Sequence, residues 1–153
     1  MKTGKQGIEL LKHYEGCKLT SYPDGIGVWT IGYGNTFYED GKKVVKGQTI
    51  TQERAEQLLL IILSDFESAV NSALKATVTQ WQFDALVCLC YNIGTGNFSK
   101  STLVKRVNSG QFVNAGEQFL VWDKSGGKKV KGLTYRRQSE RWLFLNNEVK
   151  FFN

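Results

Sequence analysis

Apolar residues near the start of the chain recur at the spacing of an amphipathic helix. Ile8, Leu11 and Tyr14 follow one another every three residues, which places them on one face of a helix. Gly16 comes shortly afterwards, and glycine commonly ends helices because it adopts a positive φ without strain. We therefore predict a first helix over about residues 4–15.

After this helix the pattern changes to short apolar stretches separated by turn residues. Residues 19–22 and 28–31 predict two strands, and Pro23–Gly27 supplies the residue types of a tight turn between them. The dipeptide Asp40-Gly41 predicts a second hairpin. This part of the chain is therefore expected to form a small antiparallel sheet.

From residue 51 onward the apolar residues again follow helical spacing. One uninterrupted stripe predicts a long helix over about residues 51–75. Residues 85–91 are apolar on nearly every side, which is typical of a helix at the centre of a bundle. The other predicted elements are helices at about 79–92, 100–108, 112–122 and 134–146 and a loop at 125–129.

The order of these elements is helix, small sheet, long helix and helical bundle, which indicates an α+β protein with segregated parts. We expect one domain over residues 1–153, made of a small β lobe at about 15–50, a connecting helix at about 51–75 and a helical lobe at about 76–153 that packs with the N-terminal helix. Such an arrangement leaves a cleft between the lobes, where ligand sites tend to lie.

Composition and charge add a class of partner to this picture. The chain has 153 residues, of which 41% are hydrophobic and 22% charged, so a disordered or fibrous protein is excluded. No apolar run approaches the length of a membrane-spanning helix. The net charge is +6 and is densest at residues 124–141. It suggests a polyanionic partner, which includes nucleic acid, an acidic membrane face and a carboxylate-rich cell wall.

Cysteine and histidine usage argues against metal and thiol chemistry. Cys17, Cys88 and Cys90 are odd in number and lack a metal-binding or redox spacing, so we expect free, buried thiols. His13 is the only histidine, and neither a metal site nor a cofactor is predicted. No apolar stretch follows residues 1–6 in the sequence, so neither a signal peptide nor a signal anchor is expected there.

Two carboxylates and one hydroxyl are the residues that can carry chemistry. Glu15 closes the first helix, where the partial negative charge of the helix end disfavours ionisation and is expected to raise its pKa. Asp24 lies at the tip of the first hairpin among backbone N–H groups, where it is expected to stay ionised. Two carboxyls held in different states are the arrangement of glycoside hydrolysis. Thr30, on the returning strand, is placed to hold a water near Asp24. Taken alone, a Glu at a helix end and an Asp in a turn are more often structural.

The spacing Glu15, eight residues, Asp24, five residues, Thr30 resembles the catalytic spacing of the phage lysozymes of glycoside hydrolase family 24. Asn35 departs from the family pattern, which often has histidine there. The other segments that carry the resemblance are residues 14–16, 22–25, 29–34 and 91–94, followed by Phe98, residues 101–103, residues 132–133, Arg136, Arg137 and Glu140.

The resemblance implies a lysozyme-like fold and a muramidase that cleaves the β-1,4 bond between N-acetylmuramic acid and N-acetylglucosamine in peptidoglycan. It implies that Glu15 donates the proton, that Asp24 places the water and that Thr30 supports it, with no cofactor. It also implies an endolysin, expected to act as a monomer, that accumulates in the host bacterial cytoplasm. A holin would then release it to the cell wall, with neither nucleic acid nor an integral membrane segment involved.

Four further residues are candidates for binding the substrate. Tyr33 and Phe98 offer aromatic faces that pack on sugars, and the Asn92 amide can bond an N-acetyl group. Arg137 can meet the acidic stem peptides of the wall. For the aromatic residues the alternative is ordinary packing, and for Arg137 it is an internal ion pair with Glu140, which lies on the same helical face.

Two other functions compete with the hydrolase. A lytic transglycosylase uses one Glu without a water-placing Asp and leaves anhydro products, so the presence of Asp24 and Thr30 argues against it. A non-catalytic basic module would use the +6 charge alone, although no nucleic-acid motif accompanies that charge. Activity on purified peptidoglycan separates the enzyme from the binding module.

Overall fold

The computed structural model describes residues 1–153 and divides them into two compact units. The hairpin unit is Leu11–Asp65, and the helical unit is Met1–Leu10 together with Phe66–Asn153. The helices are α1 (Lys5–Glu15), α2 (Gln52–Ala73), α3 (Gln80–Ile93), α4 (Thr95–Ser99), α5 (Thr102–Asn108), α6 (Phe112–Gln118), a 3-10 helix (Phe119–Val121) and α7 (Lys131–Asn146). The strands are β1 (Lys18–Pro23), β2 (Trp29–Gly32), β3 (Lys124–Ser125) and β4 (Lys128–Lys129).

The hairpin unit is built on the antiparallel pair β1–β2. Tyr22 lies opposite Thr30, and the register is irregular towards the start of β1, where Lys18 pairs with Gly32. Ile31 is fully buried, and its backbone pairs with that of Asn35 just after the strand. The core of the hairpin unit also contains Val44 and four apolar residues of α2, namely Ala55, Leu58, Leu59 and Leu63.

The helical unit has α3 at its centre. Every residue from Phe83 to Cys90 is buried, which confirms that this helix is enclosed on all sides. Its start is fixed by a capping box, in which Thr79 accepts from the Gln82 N–H and the Gln82 side chain accepts from the Thr79 N–H. Phe119 and Phe144 pack against each other nearby, with ring centroids 5.4 Å apart.

The first turn of α1 is held by a buried carboxylate of α3. Asp84 accepts the N–H groups of Gly4 and Gly7, at 2.8 and 3.3 Å, and so satisfies two donors that a helix start leaves unpaired. A Cβ on Gly7 would come within 2.9 Å of the Asp84 Cβ, so this close approach needs glycine. Burial raises the pKa of Asp84, and the bonds from Gly4 oppose that rise.

The segregated α+β organisation predicted from the sequence is confirmed, with three local differences. The stretch at 125–129, predicted as a loop, lies in the two-stranded ribbon β3–β4. The helix α4 was not predicted, and the second hairpin is reduced to an isolated bridge between Phe37 and Lys43. Cys88 and Cys90 are buried free thiols, and Cys17 is free and half-buried.

None of the seven α-helices combines the length and the apolar character that crossing a membrane requires.

Candidate active site

Glu15 is the last residue of α1, as the sequence predicted. Gly16 follows it with φ +65° and donates its N–H to the Lys12 carbonyl at 3.1 Å, which closes the helix. A Cβ built on Gly16 would meet no heavy atom within 4 Å. The helix therefore ends beside open space, and it presents the half-buried Glu15 carboxylate at its carbonyl end.

Asp24 follows β1 and has its side chain fixed by the turn that it begins. One carboxylate oxygen, Oδ1, accepts the N–H groups of Ile26 and Val28, both at 2.9 Å. The Asp24 N–H in turn donates to the Val28 carbonyl at 2.9 Å. These bonds hold the carboxylate in one orientation and leave its second oxygen, Oδ2, available to a ligand.

Thr30 is tied to the same residue as Asp24. It is only 5% exposed, and its hydroxyl donates to the Val28 carbonyl at 2.9 Å. This bond uses the only proton of the hydroxyl. The lone pairs of the Thr30 oxygen remain free to accept a hydrogen bond from another group. The backbone of Val28 therefore positions an Asp24 carboxylate and a Thr30 hydroxyl together, both with unused acceptor capacity.

Tyr22 connects these groups to Glu15. It lies directly opposite Thr30 in the β1–β2 register, and side chains that face each other across an antiparallel pair share one face of the sheet. Partial burial raises the pKa of the Tyr22 phenol, and the negative charges of Glu15 and Asp24 raise it further. Both carboxylates thus act on the same phenol, and all four residues belong to the hairpin unit.

Tyr33 lies in a polar cluster of the hairpin unit. Its ring is 5% exposed, its hydroxyl accepts from Gln52 at 2.9 Å, and the Lys12 ammonium lies 5.9 Å from the ring centroid. Lys12 also pairs with Glu56 at 2.7 Å. The side-chain bond to Glu56 raises the pKa of Lys12 and lowers that of Glu56. Little of the Tyr33 ring is therefore available to pack on a sugar.

Arg137 does not meet a substrate directly, which corrects the expectation from the sequence. It is 0% exposed and pairs with Glu140 at 2.7 Å, so the alternative of an internal ion pair is confirmed. Its guanidinium also donates to the Asn92 side-chain oxygen at 2.9 Å and to the Trp122 carbonyl at 3.3 Å. Arg137 therefore fixes how the Asn92 amide is turned.

Asn92 and Phe98 have opposite environments in the helical unit. Phe98 is 0% exposed and belongs to the core, so its expected role as a sugar-stacking face is wrong. Asn92 is exposed, and with Asn97, Trp122 and Lys124 it lines a cavity of about 400 Å³. Because its oxygen is engaged by a guanidinium, its amide NH₂ is the group left to donate to a ligand.

The thiols and acids do not form a site for a metal ion. No group of three or more His, Cys, Asp or Glu side chains has the arrangement that a metal requires. Burial raises the pKa of Cys90 to about 12 and raises that of Cys88 well above its usual value, so both thiols stay protonated at neutral pH.

The comparisons with known proteins show the family to which the chain belongs. The family model described as Phage lysozyme matches residues 12–140, a span that includes Glu15, Asp24, Thr30 and Asn92. The chain belongs to the phage lysozyme family. The curated endolysin of Bacillus phage B103 is 43% identical over 152 residues, which cover 98% of this chain and 56% of that protein. The chain thus spans little more than half the length of that relative.

Solved structures of phage lysozymes confirm the lysozyme-like fold. The endolysin from Escherichia coli O157:H7 phage FAHEc1 superimposes with a TM-score of 0.91 and 40% identity, covering 98% of this chain and 97% of that one. A mutant of P22 lysozyme superimposes with a TM-score of 0.86 and 39% identity, covering 95% and 99%. The endolysin of Salmonella phage P22 is also 40% identical over 99% of its own length.

Sequence reasoning missed three of the features described above. It did not single out Tyr22, although this tyrosine lies two residues before Asp24 on a predicted strand. At that position its side chain falls on the same face of the sheet as Thr30 on the opposite strand. It also had no means of finding the role of Val28, because the groups involved are a backbone N–H and a backbone carbonyl. Trp122 is the third omission, and it became visible only through the cavity that it lines with Asn92.

Proposed function

We propose that this phage lysozyme hydrolyses the β-1,4 bond between N-acetylmuramic acid and N-acetylglucosamine in bacterial peptidoglycan. Glu15 acts as the general acid, and Asp24 and Thr30 position the attacking water. The reaction needs neither a metal nor a cofactor, because proton transfer and water are sufficient to cleave a glycosidic bond. Membership of the family and the geometry around Val28 support this proposal.

In the first half of the reaction, Glu15 gives its proton to the oxygen of the scissile bond. The bond between that oxygen and the anomeric carbon of the muramic acid breaks, and the N-acetylglucosamine leaves with a neutral hydroxyl. Protonation is needed because an alkoxide is a poor leaving group at neutral pH. A carboxyl at the end of a rigid helix suits this role, since its position is set by the backbone rather than by a loop.

In the second half, a water attacks the anomeric carbon and passes a proton to Asp24. The Oδ2 atom of Asp24 accepts one hydrogen of this water and the Thr30 oxygen accepts the other. With both hydrogens engaged, an oxygen lone pair of the water points away from the protein, towards the sugar. After attack, Asp24 is protonated and Glu15 is ionised, and exchange with solvent restores both.

The observation that carries the proposal is the shared anchoring of Asp24 and Thr30 on Val28. Oδ1 of Asp24 is occupied by two backbone N–H groups, and the Thr30 hydroxyl proton is occupied by the Val28 carbonyl. Both side chains therefore keep lone pairs that can accept hydrogen bonds, and neither keeps a free donor. Two acceptors anchored on the same residue are suited to bind both hydrogens of a nucleophilic water.

The bond specificity is tested by identifying the groups that the protein releases from purified sacculi. We expect new reducing sugar ends to appear with muramic acid at the reducing terminus, and no new amino groups. New amino groups without reducing ends would mean that a peptide or amide bond is cleaved, and the proposal would be wrong. N-acetylglucosamine at the reducing terminus would mean that the other glycosidic bond is the substrate.

We assign Tyr22 a positioning role that acts through the two carboxylates, and we predict that Tyr22→Phe lowers kcat about tenfold with little change in KM. The substitution removes the polar hydroxyl of the phenol on which both carboxylates act, and a loss of about 1.4 kcal/mol of transition-state stabilisation corresponds to tenfold in rate. Tyr22 does not bind the sugar in this role, so the loss is expected in kcat and not in KM. Steady-state kinetics on solubilised glycan strands measure both constants.

Tyr38→Phe is the matched control for this prediction. The Tyr38 hydroxyl donates to Gln48 at 2.7 Å. Burial raises the pKa of Tyr38 and the charge of Arg54 lowers it, whereas neither candidate catalytic acid affects it. An equal loss of kcat in both variants would show that Tyr22 only packs. Release through a holin and the monomeric state stay predictions.

A further inference from the structure

The ribbon formed by residues 124–129 carries an unusual concentration of lysines. We call it the lysine ribbon. Every one of its residues is exposed, and it contains Lys124, Lys128 and Lys129 without a single acidic residue. Lys131 lies two residues after the ribbon and is exposed as well. The ribbon contributes nothing to the core of the helical unit, so its sequence is not explained by packing.

The geometry of the ribbon brings like charges together instead of letting them spread. Gly126 and Gly127 have φ values of +59° and +79°, which is the backbone of a tight two-residue hairpin turn. The turn fixes a register in which Lys124 lies directly opposite Lys129. Like charges in directly opposed positions destabilise a strand pair, and a two-stranded ribbon this short has little stability to spare.

Only one of the opposed lysines is compensated within the protein. The Lys129 ammonium lies 3.5 Å from a carboxylate oxygen of Asp123. That residue also anchors the base of the ribbon, because its backbone carbonyl accepts the Val130 N–H at 2.8 Å. Lys124 and Lys128 have no acidic partner. The ribbon therefore holds two uncompensated positive charges at fixed positions on an exposed turn.

We infer that the lysine ribbon is a docking surface for the carboxylates of the peptidoglycan network. This inference rests on the proposed function, because the anion that it binds is the substrate itself. Peptidoglycan carries carboxylates on its lactyl groups and stem peptides at close intervals, so two lysines on one short ribbon can meet several of them at once. Binding of this kind retains the enzyme on an insoluble polymer between cleavage events.

The test compares two double variants with the same net charge. Lys124→Gln with Lys128→Gln removes the uncompensated charges of the ribbon. Lys46→Gln with Lys75→Gln removes two exposed loop lysines that also lack ion pairs. Both are made in a Glu15→Gln background, so that the wall is not consumed, and each protein is pelleted with purified sacculi that have been stripped of phosphate polymers.

We expect the ribbon variant to bind sacculi about fivefold more weakly at low salt, and the loop variant less than twofold more weakly. The difference should disappear at about 1 M salt, where screening extends over only about 3 Å. It should also disappear on sacculi whose carboxyls have been converted to neutral amides. Equal weakening in both variants would show that only net charge matters and would overturn the inference. A ribbon effect that survives carboxyl neutralisation, or that is seen only on sacculi that keep their phosphate polymers, would overturn it too.

Failure of the proposed function has a different signature. Pelleting measures binding without any turnover, so a protein that binds through the ribbon but releases no reducing ends contradicts the hydrolase and not the docking surface. A protein that cleaves the wall while the ribbon variant binds like the loop variant contradicts the docking surface alone.

Discussion

Glu15→Gln is expected to lower the rate of peptidoglycan hydrolysis about a thousandfold while the protein stays folded. Gln has the shape of Glu and cannot donate a proton from a carboxyl group, so the change removes general-acid catalysis, which typically contributes between about a hundredfold and ten-thousandfold. The side chain is half-buried at a helix end that faces open space, so little packing is lost. Release of reducing ends from purified sacculi measures the rate, and thermal unfolding confirms the fold.

Glu9→Gln on the same helix is the control for this variant. Glu9 is exposed and pairs with no cation, so the substitution makes the same chemical change without touching the site. We expect its rate to stay within about twofold of the wild type, the range of surface substitutions. A Glu15→Gln protein with the activity of the Glu9→Gln protein would remove Glu15 from the mechanism.

Glu140→Gln is expected to destabilise the protein by about 3–5 kcal/mol, the cost of breaking a buried ion pair from one side. Glu140 is 0% exposed, and its Oε1 atom accepts from Arg137 at 2.7 Å and from Arg136 at 3.3 Å. Removing its charge leaves two buried guanidinium groups facing a neutral amide. The melting temperature should fall by roughly 10 °C for a chain of this size, which calorimetry measures.

A second ion pair on α7 provides the comparison. Arg141 pairs with Glu117, and both side chains are partly exposed. Exposed pairs contribute at most about 1 kcal/mol, so Glu117→Gln should shift the melting temperature only slightly. If the two variants lose the same stability, then burial does not decide the strength of these pairs and the explanation given for Arg137 fails.

The local order of the hairpin unit could be predicted because short-range rules decide it. Apolar residues recur every three positions along α1, and the glycine that follows them ends the helix at Glu15. The residue types of Pro23–Gly27 favour a turn over any regular element. The candidate acids follow from these two facts, since each is the residue at the end of an element. The reach of the Asp24 side chain to the Val28 N–H could not be predicted, because it depends on how the turn closes.

The substrate-binding predictions were weaker because they concern burial, which a single sequence does not fix. An arginine is usually exposed, and Arg137 is enclosed only because Glu140 and Asn92 meet its guanidinium from different directions. Phe98 lies on the short helix α4, whose five residues show no recognisable period. The lysine ribbon was predicted as a loop, since strands of two lysine-rich residues lack apolar alternation.

The measurement that tests the central claim most directly is the mass of the wall fragments released in water enriched in heavy oxygen. Hydrolysis with water placed by Asp24 and Thr30 predicts one heavy oxygen at each new reducing muramic acid end. Fragments released in ordinary water and then transferred to the enriched water control for exchange after cleavage. Anhydromuramic acid ends without heavy oxygen would show that the sugar's own hydroxyl displaces the leaving group, and would contradict the account.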